Sequence, residues 1–303
     1  MSILASQETT VVVQGITGRE ATLFTRDALQ YNARIVAGIT PGKGGQSVFG
    51  VPVYNCVREA MENSSVGASI ISVPPLAVRD AVFEAIENGI PLLVIITERV
   101  PQKDVSEILV SAKKEGVRII GPNSLGLICP GETKLGSIGG DLENTCRTFM
   151  KGPVGVVSRS GGMTSEIANL LTQNGIGQST CVSTGGDPLV GSSFKDLFKL
   201  FQEDPETKAV VFFCEPGGSM EEEFVEFYRK QTDVKPVFAF VAGRFVDKIP
   251  GTRFGHAAVI VEGTRGSAKG KIATLNKAGV GVVEELSELP ARLQEAMDCG
   301  HVH

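Results

Sequence analysis

Tryptophan is absent from the 303 residues, and only three tyrosines and three histidines are present. Few aromatic faces remain for stacking single-stranded nucleic acid or sugars. Positive charge is not in excess either: 29 lysines and arginines against 34 aspartates and glutamates give 29 − 34 = −5. A net acidic chain is a poor partner for nucleic acid. The longest apolar run, around Ile90–Ile96, is too short for a bilayer. Met1–Thr10 lacks the basic and apolar regions of a signal peptide, so the expectation is a cytoplasmic protein with no membrane contact. Six cysteines, at 56, 129, 146, 181, 214 and 299, form no CxxC pair. Zinc and thioredoxin-type sites are thereby disfavoured, and reduced core thiols are expected. No metal site is expected on this chain.

Glycine is the residue in excess, 36 of 303, and the glycines cluster at the ends of apolar runs. Loops that bring backbone close to a ligand have this composition. Short β-rich runs (Thr10–Gln14, Arg34–Ile39, Ala68–Val73, Leu92–Ile96, Arg118–Ile120) alternate with helical patterns at 20–31, 76–88 and 102–115. The alternation falters between Gly121 and Pro153, then resumes from Val154 to the C-terminus. The expectation is an α/β chain of two doubly wound domains. Residues 1–130 form a Rossmann-like domain, 131–152 a linker and 153–303 a flavodoxin-like domain.

Two loops invite an anion. Thr10–Gln14 runs into Gly15-Ile16-Thr17-Gly18-Arg19-Glu20, a glycine-rich turn opening a helix, where free N–H groups face a phosphate. Ala21 is tolerated where a dinucleotide fingerprint wants its third glycine. The second strand, however, ends Thr40-Pro41-Gly42-Lys43, without the acid that would hold a ribose 2′-hydroxyl. A lysine there suits an extra ribose phosphate, the 3′-phosphate of coenzyme A or the 2′-phosphate of NADP. The plain alternative is a solvated turn residue. The second loop, Ser158-Arg159-Ser160-Gly161-Gly162, again opens a helix and lacks the lysine of a P-loop.

Of the histidines, His301 and His303 sit at the C-terminus, whereas His256 lies in Arg253-Phe254-Gly255-His256-Ala257-Ala258. A satisfied loop histidine is the commoner role. The sharper reading is a nucleophile that accepts and passes on a phosphoryl group. It needs a cage of backbone N–H groups and an orienting carboxylate. Glu215, in Cys214-Glu215-Pro216-Gly217-Gly218, is the best-placed acid.

Taken in order, several segments resemble the α subunit of succinyl-CoA synthetase (succinate–CoA ligase, ADP- or GDP-forming) over nearly the whole chain. They are Gln14–Gly18, Thr40–Gly45, Ile96–Glu98, Ile120–Asn123, Val157–Gly161, Gly185–Pro188 and Gly255–Ala257. The resemblance implies a CoA site lined by Thr17, Gly18, Arg19, Glu20, Lys43, Ile96, Thr97 and Glu98. It makes His256 the phosphohistidine, Glu215 its orienting acid, and Ser158, Ser160, Gly161 and Gly162 the phosphate cradle. It also implies a separate ATP-grasp β subunit carrying ATP or GTP with Mg²⁺, in an αβ or α₂β₂ assembly. The reaction implied is carboxylate + CoA + NTP giving acyl-CoA + NDP + phosphate.

Departures from the family pattern fall near the acid. A threonine is replaced by Gly162 and a tyrosine associated with the substrate site by Ser165. Pro-Asn-Cys-Pro-Gly reads Pro122-Asn123-Ser124-Leu125-Gly126. Ser165, Asn123 and Ser124 are therefore the expected substrate positions, and the acid is succinate or another small dianion such as malate or sulfoacetate. The competing reading is a catalytically inactive CoA-binding regulatory protein. An NADP oxidoreductase is disfavoured, because no acid–base set accompanies the first domain.

Overall fold

The computed structural model describes residues 2–62, 64–244 and 266–299. His256, His301 and His303 lie outside them.

The first half is built from β1 (Thr10–Gln14), α1 (Arg19–Gln30), β2 (Arg34–Ile39), β3 (Ser47–Val48), β4 (Val51–Tyr54), α2 (Val57–Met61), β5 (Ala68–Ile71), α3 (Val78–Glu87), β6 (Leu92–Ile95), α4 (Gln102–Glu115) and β7 (Arg118–Ile120). The sheet order is β3-β4-β2-β1-β5-β6-β7. Only β3 runs antiparallel to its neighbour. The six parallel strands, numbered along the chain, read 3-2-1-4-5-6, the dinucleotide-binding order. Val11, Val12 and Val13 are all buried, as expected of a strand covered on both faces. Helix α1 buries Ala21, Phe24, Thr25 and Ala28, a stripe at the helical period.

The second half contains β8 (Gly126–Cys129), β9 (Thr133–Leu135), α5 (Leu142–Thr148), β10 (Lys151–Ser158), α6 (Gly161–Gln173), β11 (Gln178–Ser183), α7 (Phe194–Glu203), β12 (Ala209–Cys214), α8 (Met220–Tyr228), β13 (Val237–Val241), α9 (Ala268–Lys277), β14 (Gly281–Val283) and α10 (Leu289–Cys299). Its sheet order is β14-β13-β12-β10-β11-β8-β9. The parallel strands read 2-1-3-4-5, the flavodoxin order. Phe194, Leu197, Phe198 and Phe201 line the buried face of α7. Phe194 stacks on Phe212 of β12 with ring centroids 4.7 Å apart, and Phe198 meets Phe224 edge-on at 5.3 Å.

The boundary between the sheets differs from the expected one. Strands β8 and β9 form a hairpin that joins the second sheet, with β8 antiparallel to β11 through Ser183↔Gly126 and Cys181↔Ile128. A cut at residue 130 would fall inside that hairpin. The stretch 131–152 carries β9 and α5 rather than a linker. Its glycines and prolines interrupt the βα rhythm because they make the turns of an antiparallel pair. Among the described residues no cysteine pairs with another, and no helix is long and apolar enough to cross a membrane.

Lys134 of β9 is fully buried. Its Nζ donates to Gly140 O at 2.5 Å and Thr145 Oγ1 at 3.3 Å, both neutral acceptors. Burial pushes its pKa from 10.5 down to about 8, against the opposing pull of Asp27 and Asp141. The folded chain thus releases this proton near pH 8, while the unfolded chain holds it to about pH 10.5. Stability rises with pH across that window, by about 3 kcal/mol for this group. Lys134→Met should be more stable than the parent at pH 7 by about 1–3 kcal/mol, less whatever the orphaned Gly140 carbonyl costs. The advantage should fade by pH 10.5. Urea unfolding of both proteins at pH 7 and pH 10 checks this; parallel pH profiles would refute it.

Candidate active site

In an open parallel sheet the loops diverge where the strand order reverses, and ligands enter there. In the first sheet that point lies between β1 and β5. A cleft of about 640 Å³ opens there, lined by residues from Gln14 to Glu84, among them Gly15, Thr17, Gly18, Thr40 and Ser72. Gly15 has φ +87°, and a Cβ on it would stand 2.1 Å from the Ser72 carbonyl oxygen. Only glycine lets the β1 turn pass that close to the β5 loop. Gly18 is the N-cap of α1, and no side chain caps that helix. Its first-turn N–H groups are left for an anion, where the helix dipole also favours one.

Lys43 reaches back over this turn. Its Nζ donates to Thr17 Oγ1 at 3.1 Å, and Thr17 donates on to Thr40 Oγ1 at 3.2 Å. The glycine turn that carries Lys43 is folded by Asn55, whose Oδ1 accepts from Gly42 N (2.9 Å) and Gly44 N (3.1 Å). Asn55 was not foreseen from the sequence, because it acts twelve residues away on the far side of a hairpin. Arg19 and Glu20 are exposed in the first turn of α1. Ile96, Thr97 and Glu98 follow β6, one strand beyond the cleft; Thr97 Oγ1 donates to Val73 O at 2.7 Å. A glycine floor, an uncapped helix start and an ammonium group suit a phosphate-bearing nucleotide.

In the second sheet the order reverses between β10 and β12. Ser160 caps α6 through its Oγ, which accepts from Met163 N. Ser158 Oγ accepts from Ser160 N at 3.0 Å and donates to Ser160 O at 2.7 Å, which locks the turn. A Cβ on Gly161 would meet Leu125 at 2.2 Å, so the helix start presses on the crossover between the sheets. A Cβ on Gly162 would meet nothing within 4 Å among the described residues. Gly162 and Ser165 line a polar cleft of about 340 Å³ with Arg147 and Glu166. Glu215 stands at the C-terminal end of β12, half-buried.

Arg159 is buried, donates to Asp187 O at 3.0 Å and leaves Nε without a partner among the described residues. Asp187 Oδ1 accepts from Asn123 Nδ2 at 2.9 Å. Asn123 N donates in turn to Thr97 O at 2.9 Å. The end of β6 is thus joined to the helix start of α6 through Asn123 and Asp187. Gly185 closes this seam: at φ +106° its Cβ would lie 2.1 Å from Pro122 O. Ser124 is buried, and its hydroxyl donates to Ser183 O at 2.6 Å and accepts from Gly126 N at 2.8 Å. The hydrogen of that hydroxyl is thus spent within the protein. His256 lies outside the described residues.

Residues 6–99 match the CoA binding domain family and residues 157–288 the CoA-ligase family. The succinate–CoA ligase [ADP-forming] α subunit of Aquifex aeolicus is 43% identical over 98% of this chain and 94% of its own length. The ADP-forming sulfoacetate–CoA ligase subunit of an Acholeplasma species is 41% identical over 97% of this chain and 98% of its own. Among solved structures, ATP citrate lyase from Methanothrix soehngenii, in complex with citrate and coenzyme A, superposes with a TM-score of 0.90 at 24% identity. That match covers 98% of this chain and 50% of the lyase, so the chain spans about half of that enzyme's length.

Proposed function

The chain belongs to the succinate–CoA ligase α-subunit family, and we propose from this that it carries the phosphohistidine relay of an NDP-forming acyl-CoA synthetase. His256 is the relay nucleophile. Its imidazole nitrogen attacks the terminal phosphorus of NTP, and the bond to the NDP oxygen breaks. A carboxylate oxygen of the acid then attacks that phosphorus and the N–P bond breaks, giving an acyl phosphate. The CoA thiol, giving up its proton, attacks the acyl carbon, and phosphate leaves as the thioester forms. The NTP and its Mg²⁺ belong to an ATP-grasp β subunit.

The chain's own residues divide the work. The first turn of α1 and Lys43 hold the CoA phosphates. The first turn of α6, capped by Ser160, receives the phosphoryl group, and Glu215 orients the imidazole. The observation that supports this reading is the seam Thr97–Asn123–Asp187–Arg159, which joins the end of β6, one strand beyond the first cleft, to the residue that leads into α6.

Gly162 and Ser165 leave a polar cleft where bulkier side chains would narrow it. We assign the acid to the small dianions, with sulfoacetate or malate ahead of succinate. The test is turnover of the αβ complex, built with its cognate β subunit, on succinate, malate and sulfoacetate with labelled NTP. Acid-labile label on the α chain supports the relay. No label would leave a CoA-binding protein without catalysis, and best turnover on succinate would overturn the assigned acid.

Lys43→Ala should weaken CoA binding by about 1–3 kcal/mol, the range for a charge-assisted contact. Dephospho-CoA, which lacks the 3′-phosphate, should bind parent and variant alike. Calorimetric titration of both ligands decides; an unchanged CoA affinity removes Lys43 from the site.

A further inference from the structure

The loop that carries Glu215 is held from behind by α9. Gly217 N–H donates to Gly266 O at 2.8 Å. Lys271, on α9, donates from Nζ to Gly218 O at 3.2 Å. The same Nζ pairs with Glu221 on α8 and lies 3.4 Å from Glu222. Lys271 is 0% exposed and Glu221 1%. Ser267 caps α9, its Oγ accepting from Gly270 N at 3.0 Å.

Stability does not explain this pair. Taking both charges out of water costs several kcal/mol per ion, and apolar replacements of buried pairs are often neutral or stabilising. Moreover, Glu221 Oε1 has no hydrogen-bond partner among the described residues. Burial, with the Glu221 charge adding to it, pushes the adjacent Cys214 thiol well above its usual range, so it stays protonated beside the pair. What the pair does geometrically is specific. It ties the β12–α8 loop to the first turns of α9, and α9 begins at Ala268, just after the chain segment that contains His256. The helix that follows the nucleophile-bearing segment in sequence thus anchors, through Lys271, the loop bearing the proposed orienting acid.

We propose that Lys271 is a positioning residue for phosphoryl transfer, fixing the Glu215 loop against the start of α9 through Gly218 and Glu221. This rests on the relay reading above. A loop that has lost the Lys271 contacts would hold Glu215 less firmly, and displacements near 1 Å can cost about 100-fold in rate.

The experiment uses the αβ complex and three variants of this chain: Lys271→Met, Lys271→Arg and the double variant Lys271→Met with Glu221→Leu. The double variant removes both charges and leaves no buried ion unpaired, so it guards against simple misfolding. Expected are a melting temperature and a CoA KM for the double variant close to the parent's. Its rate of acid-labile label formation should fall about 10- to 100-fold. Lys271→Arg should recover part of that rate, which a merely structural role would not require. Parental labelling by the double variant overturns the inference, and so does a loss of label matched by an equal loss of CoA binding. A parent complex that takes no label brings down the relay reading first, and the inference with it.

Discussion

His256→Asn is expected to abolish acid-labile phosphate on the chain while leaving CoA affinity unchanged. Asparagine keeps much of the shape and polarity of the imidazole but cannot accept a phosphoryl group. Loss of a covalent nucleophile typically costs at least about a thousand-fold, here enough to take label below detection. CoA affinity should survive because the lining of the first cleft, among the described residues, runs from Gln14 to Glu84 and takes no residue from the second sheet. Labelling by NTP in the αβ complex, followed by acid and base treatment, reads the first half of the claim, and calorimetry with CoA the second. Persistent label would place the phosphate on another residue. The helix start at Ser160 and the acid at Glu215 would then need another purpose. Loss of CoA binding would mean that the two sites are less independent than their separate sheets imply.

The two sheets were legible from the residues for a simple reason. Parallel strands buried on both faces read as unbroken apolar runs, and Val11–Val13 and Ala209–Cys214 are short, β-branched or aromatic runs of that kind. Edges were harder. Strand β4 has Pro52 in its middle, and β8 and β9 total seven residues among glycines and prolines, so neither shows a period long enough to register. Site residues divide in the same way. Gly15, Gly18, Ser160 and Gly161 are local features of strand–turn–helix units and Lys43 of the turn between β2 and β3, each visible in one stretch of chain. Asn55 acts 11 to 13 residues away across a hairpin, and Arg159 and Lys271 act from burial on partners 28 and 50 residues away, none of which leaves a local trace. Ser124 is singled out by the resemblance alone; its hydrogen bonds to Ser183 and Gly126 join β8 to β11 and leave no local trace either.

Gly15→Ala should do to the first half-site what His256→Asn does to the second. The new methyl would stand 2.1 Å from Ser72 O, 2.9 Å from Ser72 C and 3.1 Å from Val73 Cγ1, on a residue at φ +87°. The two nearest atoms are backbone, so they cannot swing aside as a side chain would. The turn is fixed on its other flank too, since Gly15 N donates to Ile39 O at 2.7 Å and Gly18 N to Gly15 O at 2.8 Å. Relief requires the β1 and β5 loops to part, which displaces the N-terminus of α1 from the cleft. A cost of about 3 kcal/mol or more in stability follows from steric conflict and backbone strain together. CoA binding should fall at least about 100-fold, because the first-turn N–H groups no longer converge on one point. Gly45→Ala is the control. It too has positive φ, +86°, but an added Cβ meets nothing within 4 Å, so only about 1 kcal/mol of backbone cost is expected. Thermal unfolding and CoA titration of the two variants separate collision from conformational preference; equal losses would dismiss the collision. In the αβ complex Gly15→Ala should still take phosphate from NTP, yet form no acyl-CoA. With His256→Asn, which binds CoA and takes no phosphate, the pair resolves the reaction into its two halves, and a Gly15→Ala chain that cannot be labelled would show that the halves are coupled.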